Sequence, residues 1–174
     1  MQSMAAHCDI RVLGPQDSGL LRAMLAMFGH AFDDPASYLQ AQPTDEYLEA
    51  LLSRDTFVAV AAIRDDQVIG GLAGYVLPKF EQARAELYIY DLAVDARHRR
   101  QGVATALIRR LQQHAARIGA SMIFVQADRG DDAAIALYSK LGIREDVLHF
   151  DIQPGDAAIS APRPGEEHQP RGKC

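Results

Sequence analysis

Apolar side chains recur along this chain with two different periods, and the places where the period changes mark out the elements. Residues 10–13 read as a short strand, and after the Gly14-Pro15 break Leu20, Leu21, Met24, Leu25 and Phe28 fall at helical spacing. Thr44 is placed to cap a short second helix, with Asp45 and Glu46 in its first turn and Leu48, Leu51 and Leu52 toward the core. Residues 56–63 (TFVAVAAI) and 67–76 (QVIGGLAGYV) read as strands joined by a hairpin turn at Asp65-Asp66, and residues 86–94 (ELYIYDLAV) as a third strand. The period then switches to helical from Gly102 to about Ile118, where Gly119 stops it. A strand at 121–127, a helix at 132–141 ending at Gly142, and a last strand at 146–152 (DVLHFDI) complete the pattern.

Hairpin-linked strands followed by a strand-helix-strand unit predict an α/β architecture, a mixed sheet of roughly six strands with helices on both faces. The 174 residues, 48% hydrophobic and 24% charged, suit one such domain, residues 1–152. From Gln153 onward proline, glycine and polar residues replace the apolar period, so residues 153–174 are expected to be a tail. Its three acids balance its three bases, which leaves the whole net charge of −5 on the domain. That charge argues against a non-specific grip on nucleic acid or anionic membrane, and toward cationic small molecules. The opening MQSMAAHCDIRV lacks a basic segment followed by an apolar run, and no stretch reaches the ~18 apolar residues of a membrane span, so a cytoplasmic protein is expected. Cys8 and Cys174 offer neither a disulfide framework nor metal-ligand spacing; no metal is expected.

The chemistry concentrates in residues 86–108, ELYIYDLAVDARHRRQGVATALI. Apolar residues fall at Leu87 and Ile89, then at Leu92 and Val94, so the alternation slips by one. A β-bulge at Tyr90-Asp91 accounts for the slip and would open a slot of unpaired backbone; a strand buried on both faces accounts for it equally. Arg99, Arg100, Gln101, Gly102, Val103, Ala104 and Thr105 then lead into a long amphipathic helix. Small residues there let a ligand approach the backbone, and a helix N-terminus offers free N–H groups and a positive dipole end, which suits a pyrophosphate. An arginine pair at a helix start is also a common solvated face. Neither a Walker loop nor a GxGxxG fingerprint is present.

RRQGVA after YDLAV resembles the acyl-CoA pyrophosphate motif of the GNAT N-acetyltransferase superfamily, and AIALYSKLGI (residues 134–143) resembles the next motif of that superfamily. YVLPKFEQARAELYIYDLAV, HRRQG-ATALI and VQAD-GDDAAIALYSKLGI together look like the type I aminoglycoside 3-N-acetyltransferases, and the similarity extends over about residues 10–152. The resemblance implies a GNAT fold, a mostly antiparallel sheet of about six to seven strands flanked by about four helices. It implies acetyl-CoA as cosubstrate, with pantetheine along the main chain of Leu92, Ala93 and Val94 and the pyrophosphate on the N–H groups of Arg100 to Thr105, Arg99 and Arg100 adding charge. Main-chain donors aimed at the thioester oxygen, Val94 N–H being the candidate, are worth about 3 kcal/mol each to acyl transfer.

The reaction so implied is acetyl transfer to an amine of a polycationic aminoglycoside, the 3-amino group by resemblance. It needs a base for the ammonium and an acid for the leaving thiolate. Tyr138, which the motif places beside the CoA sulfur, is the acid candidate, against an ordinary core aromatic. Asp91 is the first base candidate, or else a carboxylate that only holds the cation, and Glu86 the second, through a water. His98 and His149 read as structural or exposed. Asp128, Asp131 and Asp132 cluster at a helix start. Asp131 is expected to cap that helix, and the remaining acids, with Asp151, Glu81, Glu145 and Asp146 at the rim, would meet substrate ammoniums at about 1 to 4 kcal/mol per pair. The same surface would serve a GNAT enzyme acting on polyamines or protein amines. A non-catalytic acyl-CoA sensor is the alternative of another class. A homodimer paired through residues 146–152 is a further expectation.

Overall fold

The hairpin forms where the two apolar runs predict it. In the computed structural model, which describes residues 8–152 and 154, β2 (Phe57–Arg64) and β3 (Gln67–Pro78) pair antiparallel through Asp65 and Asp66, at φ of 50° and 59°. Two consecutive positive φ values give the turn twist that matches two flanking strands, and aspartate tolerates them. The short β1 (Asp9–Val12) adds to the outer edge of β2, and β4 (Ala85–Val94) pairs with β3. A helical crossover then brings β5 (Ala120–Val125) back parallel to β4. The sheet order is therefore β1-β2-β3-β4-β5. Five strands, fewer than the six to seven expected, make up the sheet among the described residues.

Two helices clamp the sheet from opposite faces. α1 (Ser18–Ala31) sets Leu21, Met24 and Phe28 against Ala59, Ala61, Ala73 and Ala93. A Cβ on Gly71 would collide with the Met24 side chain, so the missing side chain is what lets α1 come this close. The neighbouring strand position instead faces Val103 and Leu107 of α4 (Val103–Ile118), which therefore covers the other face. Between α1 and β2 lie α2 (Pro35–Tyr38) and α3 (Asp45–Leu52). Thr44 caps α3 as expected, its hydroxyl accepting from Tyr47 N–H at 3.3 Å. The one-turn α2 was not expected; Asp34 caps it and Pro35 opens it, with too few residues to show a period. With it the α-helices among the described residues number five, where about four were expected.

The described residues divide into two compact units at Gln126/Ala127. The second holds α5 (Asp132–Tyr138), capped by the Asp131 carboxylate, which accepts from Ala134 N–H at 3.0 Å. α5 ends at Tyr138 and not at Leu141, because the N–H groups of Lys140 and Leu141 bond three residues back, to the Leu137 and Tyr138 carbonyls, in place of the helical four. Residues 146–152 do not form the expected strand. Alternation makes a segment ready to be a strand, but a strand exists only with a partner ladder. Val147, Leu148 and Phe150 are exposed, and the local ion pair Arg144–Asp146 (2.6 Å) and the His149–Asp151 contact (3.2 Å) tie residues two apart. Apart from Pro154, the expected tail lies outside the described residues, as does Cys174; Cys8 is a free thiol. No described helix is long and apolar enough to cross a membrane.

Candidate active site

The slip in apolar alternation is a bulge. Ala73 pairs with Asp91 and Gly74 with Ile89, so Tyr90 is the extra residue in β4. On its other side β4 pairs with β5 only from Ala85 to Ile89. Residues 91–94 are thus paired to β3 alone, and the outward edge of their backbone has no strand partner among the described residues. Leu92, Ala93 and Val94 bury their side chains, which leaves only their main chain to offer a ligand. The Val94 carbonyl already accepts from Arg99 Nε at 3.0 Å.

Asp91 stands at the start of this open edge, half-buried. The Tyr38 hydroxyl donates to its Oδ1 at 3.2 Å, the hydrogen bond described for this carboxylate. Burial pushes the Asp91 carboxyl above the ordinary carboxylate range, and the Tyr38 bond opposes that shift. Burial, the Asp91 charge and its hydrogen bond in turn raise the Tyr38 phenol well above its usual value. Tyr38 is itself held by Phe28 and Phe32, with ring centroids 6.0 and 5.6 Å away. Tyr75 and Tyr90 meet edge to face at 5.7 Å beside the carboxylate. Burial first, then Tyr90 and Asp91, raise the Tyr75 phenol too. Asp91 therefore sits among aromatic walls with no cation paired to it among the described residues, whereas Glu86 lies 3.4 Å from Lys79 Nζ.

The basic turn is shaped by its own residues. Asp95 accepts from Arg97 N–H at 2.9 Å and pairs with the Arg97 guanidinium at 3.1 Å, and those contacts hold its carboxyl below the usual range. Gln101 is pinned from both ends: its amide donates to the Arg97 carbonyl at 3.2 Å, and its oxygen accepts from Arg64 at 3.0 Å. Arg100 and Gly102 adopt positive φ, 62° and 82°. The second value is what lets the chain swing into α4 without a side-chain cap. No acidic residue occupies the first turn of α4, so the N–H groups of Val103, Ala104 and Thr105 face no competing carboxylate there. Main-chain donors, a positive helix end and the exposed Arg99 and Arg100 side chains suit an anion such as a pyrophosphate.

In the second unit, Asp128, Asp131 and Asp132 share one turn. Asp131 is consumed as the cap, Asp132 is exposed in the first helical turn, and the Asp128 carbonyl accepts from Asp131 N–H at 3.2 Å. Tyr138 ends α5 half-buried, and Asp151 is held by His149. No cluster of His, Cys, Asp or Glu suited to a metal is found among the described residues. The pattern of the sequence singles out Asp91, and Tyr90 as the other bulge residue, but not Tyr38, Tyr75 or Arg64. Tyr38 lies in a one-turn helix with no period to read, and its role depends on a contact across 53 residues.

The profile of the acetyltransferase (GNAT) family matches residues 23–143. An aminoglycoside acetyltransferase, HMB0005, from an uncultured soil metagenomic sample is 50% identical, with a TM-score of 0.83 over 86% of this chain and 99% of its own. A second aminoglycoside acetyltransferase from an uncultured soil metagenomic sample, meta-AAC0020, solved in complex with sisomicin, is 30% identical, with a TM-score of 0.77 over 84% of this chain and 95% of its own. N-acetyltransferase 8B of Rattus norvegicus is 25% identical over 125 residues, 65% of this chain and 56% of the rat protein. The chain thus spans a little over half the length of the curated relatives it matches. With a bulge in β4, a basic turn into α4 and a family match across both, the chain belongs to the acetyltransferase (GNAT) family.

Proposed function

We propose that the chain moves an acetyl group from acetyl-CoA to a primary amine of a polycationic aminoglycoside, the 3-amino group. The observation that carries the reading is Asp91, a half-buried carboxylate at the bulge with no cation paired to it among the described residues. The 50% likeness to a soil aminoglycoside acetyltransferase supports the substrate class.

The residues fit the cosubstrate. The N–H groups of Val103, Ala104 and Thr105 would hold its pyrophosphate, and the open edge of residues 91–94 would take the pantetheine amides. Bound acetyl-CoA supplies a thioester whose carbonyl carbon accepts the amine. Asp91 draws the ammonium in, and its raised carboxyl accepts the ammonium proton. Tyr38 holds that carboxylate in one orientation. Glu86, neutralised by Lys79, stands second as a base. Tyr138 is assigned the acid role toward the thiolate. Asp128, Asp132 and Asp151 are assigned to the remaining ammoniums of the substrate, with Asp131 giving most of its capacity to the cap. The acetyltransferase domain is assigned to residues 1–152 and the tail to 153–174. Self-association through the exposed Val147, Leu148 and Phe150 belongs to the same proposal, and a monomer by light scattering removes it.

The test is thiol release from acetyl-CoA with gentamicin, spermidine and a lysine peptide offered separately. Release with gentamicin alone is the expected result. Release only with spermidine or peptide transfers the reading to polyamine or protein amines, and silence throughout returns it to an acyl-CoA sensor.

A further inference from the structure

A cleft of about 130 Å³ opens beside Asp91, between α1, α3 and the face of β2–β4. Its walls are mostly apolar, Met24, Leu25 and Phe28 from α1 and Leu48 and Leu51 from α3, with the rings of Tyr47 and Tyr75 also in the lining and Asp91 its only formal charge. An amino sugar pressed against the aliphatic walls leaves most of its hydroxyls with only Tyr47 and Tyr75 to meet, at a cost a methylene chain does not carry. A dry apolar cavity of this size accommodates a benzene-sized guest, roughly six carbons. One carboxylate in the lining of a mostly apolar cleft is complementary to one ammonium on an apolar tail.

We propose that the cleft admits a second class of acceptor, a primary amine on an unbranched aliphatic chain of about four to six carbons, seated tail-inward with its ammonium on Asp91. The proposal rests on the acetyl-transfer reading and goes beyond its polycationic substrate. In the reaction the ammonium proton passes to Asp91, and the freed lone pair forms the C–N bond to the acetyl carbon of acetyl-CoA. The C–S bond breaks, and CoA leaves as the thiolate, which takes up the second proton that the nitrogen gives up as the amide forms. The products are an N-alkylacetamide and CoA.

The experiment follows thiol release by the full chain with ethylamine, n-butylamine, n-hexylamine and n-dodecylamine, with gentamicin in a parallel arm. Burial predicts a kcat/KM gain of roughly threefold to fourfold per methylene, about 10²-fold in all from ethylamine to n-hexylamine, then no further gain for n-dodecylamine, whose tail exceeds the cleft. A kcat/KM independent of chain length overturns the proposal. Leu51→Phe narrows the cleft and is expected to flatten the chain-length series, with circular dichroism and the melting point reporting that the variant is folded; an unchanged series in that variant places the tail elsewhere and also overturns it. Binding of n-hexylamine without acetyl-CoA, read by calorimetry, separates this proposal from the one it rests on. Heat that Asp91→Asn diminishes at least tenfold supports the seat even where gentamicin is not acetylated, and absence of heat sinks it even where gentamicin is.

Discussion

The basic turn at residues 95–105 and the cleft around Asp91 adjoin the same open edge of β4, yet they are built in opposite ways. The turn is one contiguous stretch whose shape is set by neighbours: Asp95 caps its own loop, Gln101 reaches back four residues, and Gly102 supplies a positive φ. The cleft takes its walls from α1, α3 and three strands, and its carboxylate is held by a tyrosine 53 residues away. Function placed in a turn depends on local backbone, so it fails by strain. Function placed in a cleft depends on distances between elements, so it fails by chemistry while the fold persists.

That contrast can be tested from the cleft first. Asp91→Asn removes the proton acceptor, and kcat/KM for the amine is expected to fall by about 10² to 10⁴-fold with acetyl-CoA affinity unchanged, measured by steady-state thiol release and calorimetry. A loss confined to KM would instead make Asp91 a cation holder. The same variant separates stability from activity. Because burial raises the folded carboxyl above its unfolded value, the folded state holds that proton more tightly, and the ionised group costs stability at neutral pH. Asp91→Asn is therefore expected to melt above the parent at pH 7, with the gap closing as pH falls through the carboxylate range. A lower melting point at neutral pH would contradict this.

Tyr138→Phe is the next largest, a loss of turnover of about tenfold or more with little change in acetyl-CoA binding. Full activity in that variant reassigns the acid. The turn is probed by Gly102→Ala. The new Cβ meets nothing within 4 Å, so only the left-handed backbone resists it, at about 1 to 2 kcal/mol. Acetyl-CoA affinity is expected to drop about tenfold while kcat at saturation holds; a fall in kcat with unchanged affinity would mean that the turn serves chemistry rather than binding. Tyr38→Phe is the smallest in rate and the most specific in form. It removes the bond that opposes the upward shift of Asp91, so the acidic limb of the kcat/KM profile moves to higher pH. A limb that stays in place would assign Tyr38 to packing alone.

Amino-acid pattern alone determined the β2–β3 hairpin, the capped α3, the slip at Tyr90-Asp91 and the glycine-led entry into α4, because each is decided by residues within a few positions of one another. It overreached at residues 146–152, where alternation is present but no strand partner is paired among the described residues. Tertiary structure alone decided that the slip is a bulge, since that depends on pairing with Ala73 and Gly74, and that residues 92–94 beyond it are buried on both faces as well. It also decided that Tyr38 reaches Asp91 and that α1 and α3 leave an apolar cleft beside it. Periodicity reports which face of an element is buried, while distances between side chains far apart in the chain emerge only when those faces pack.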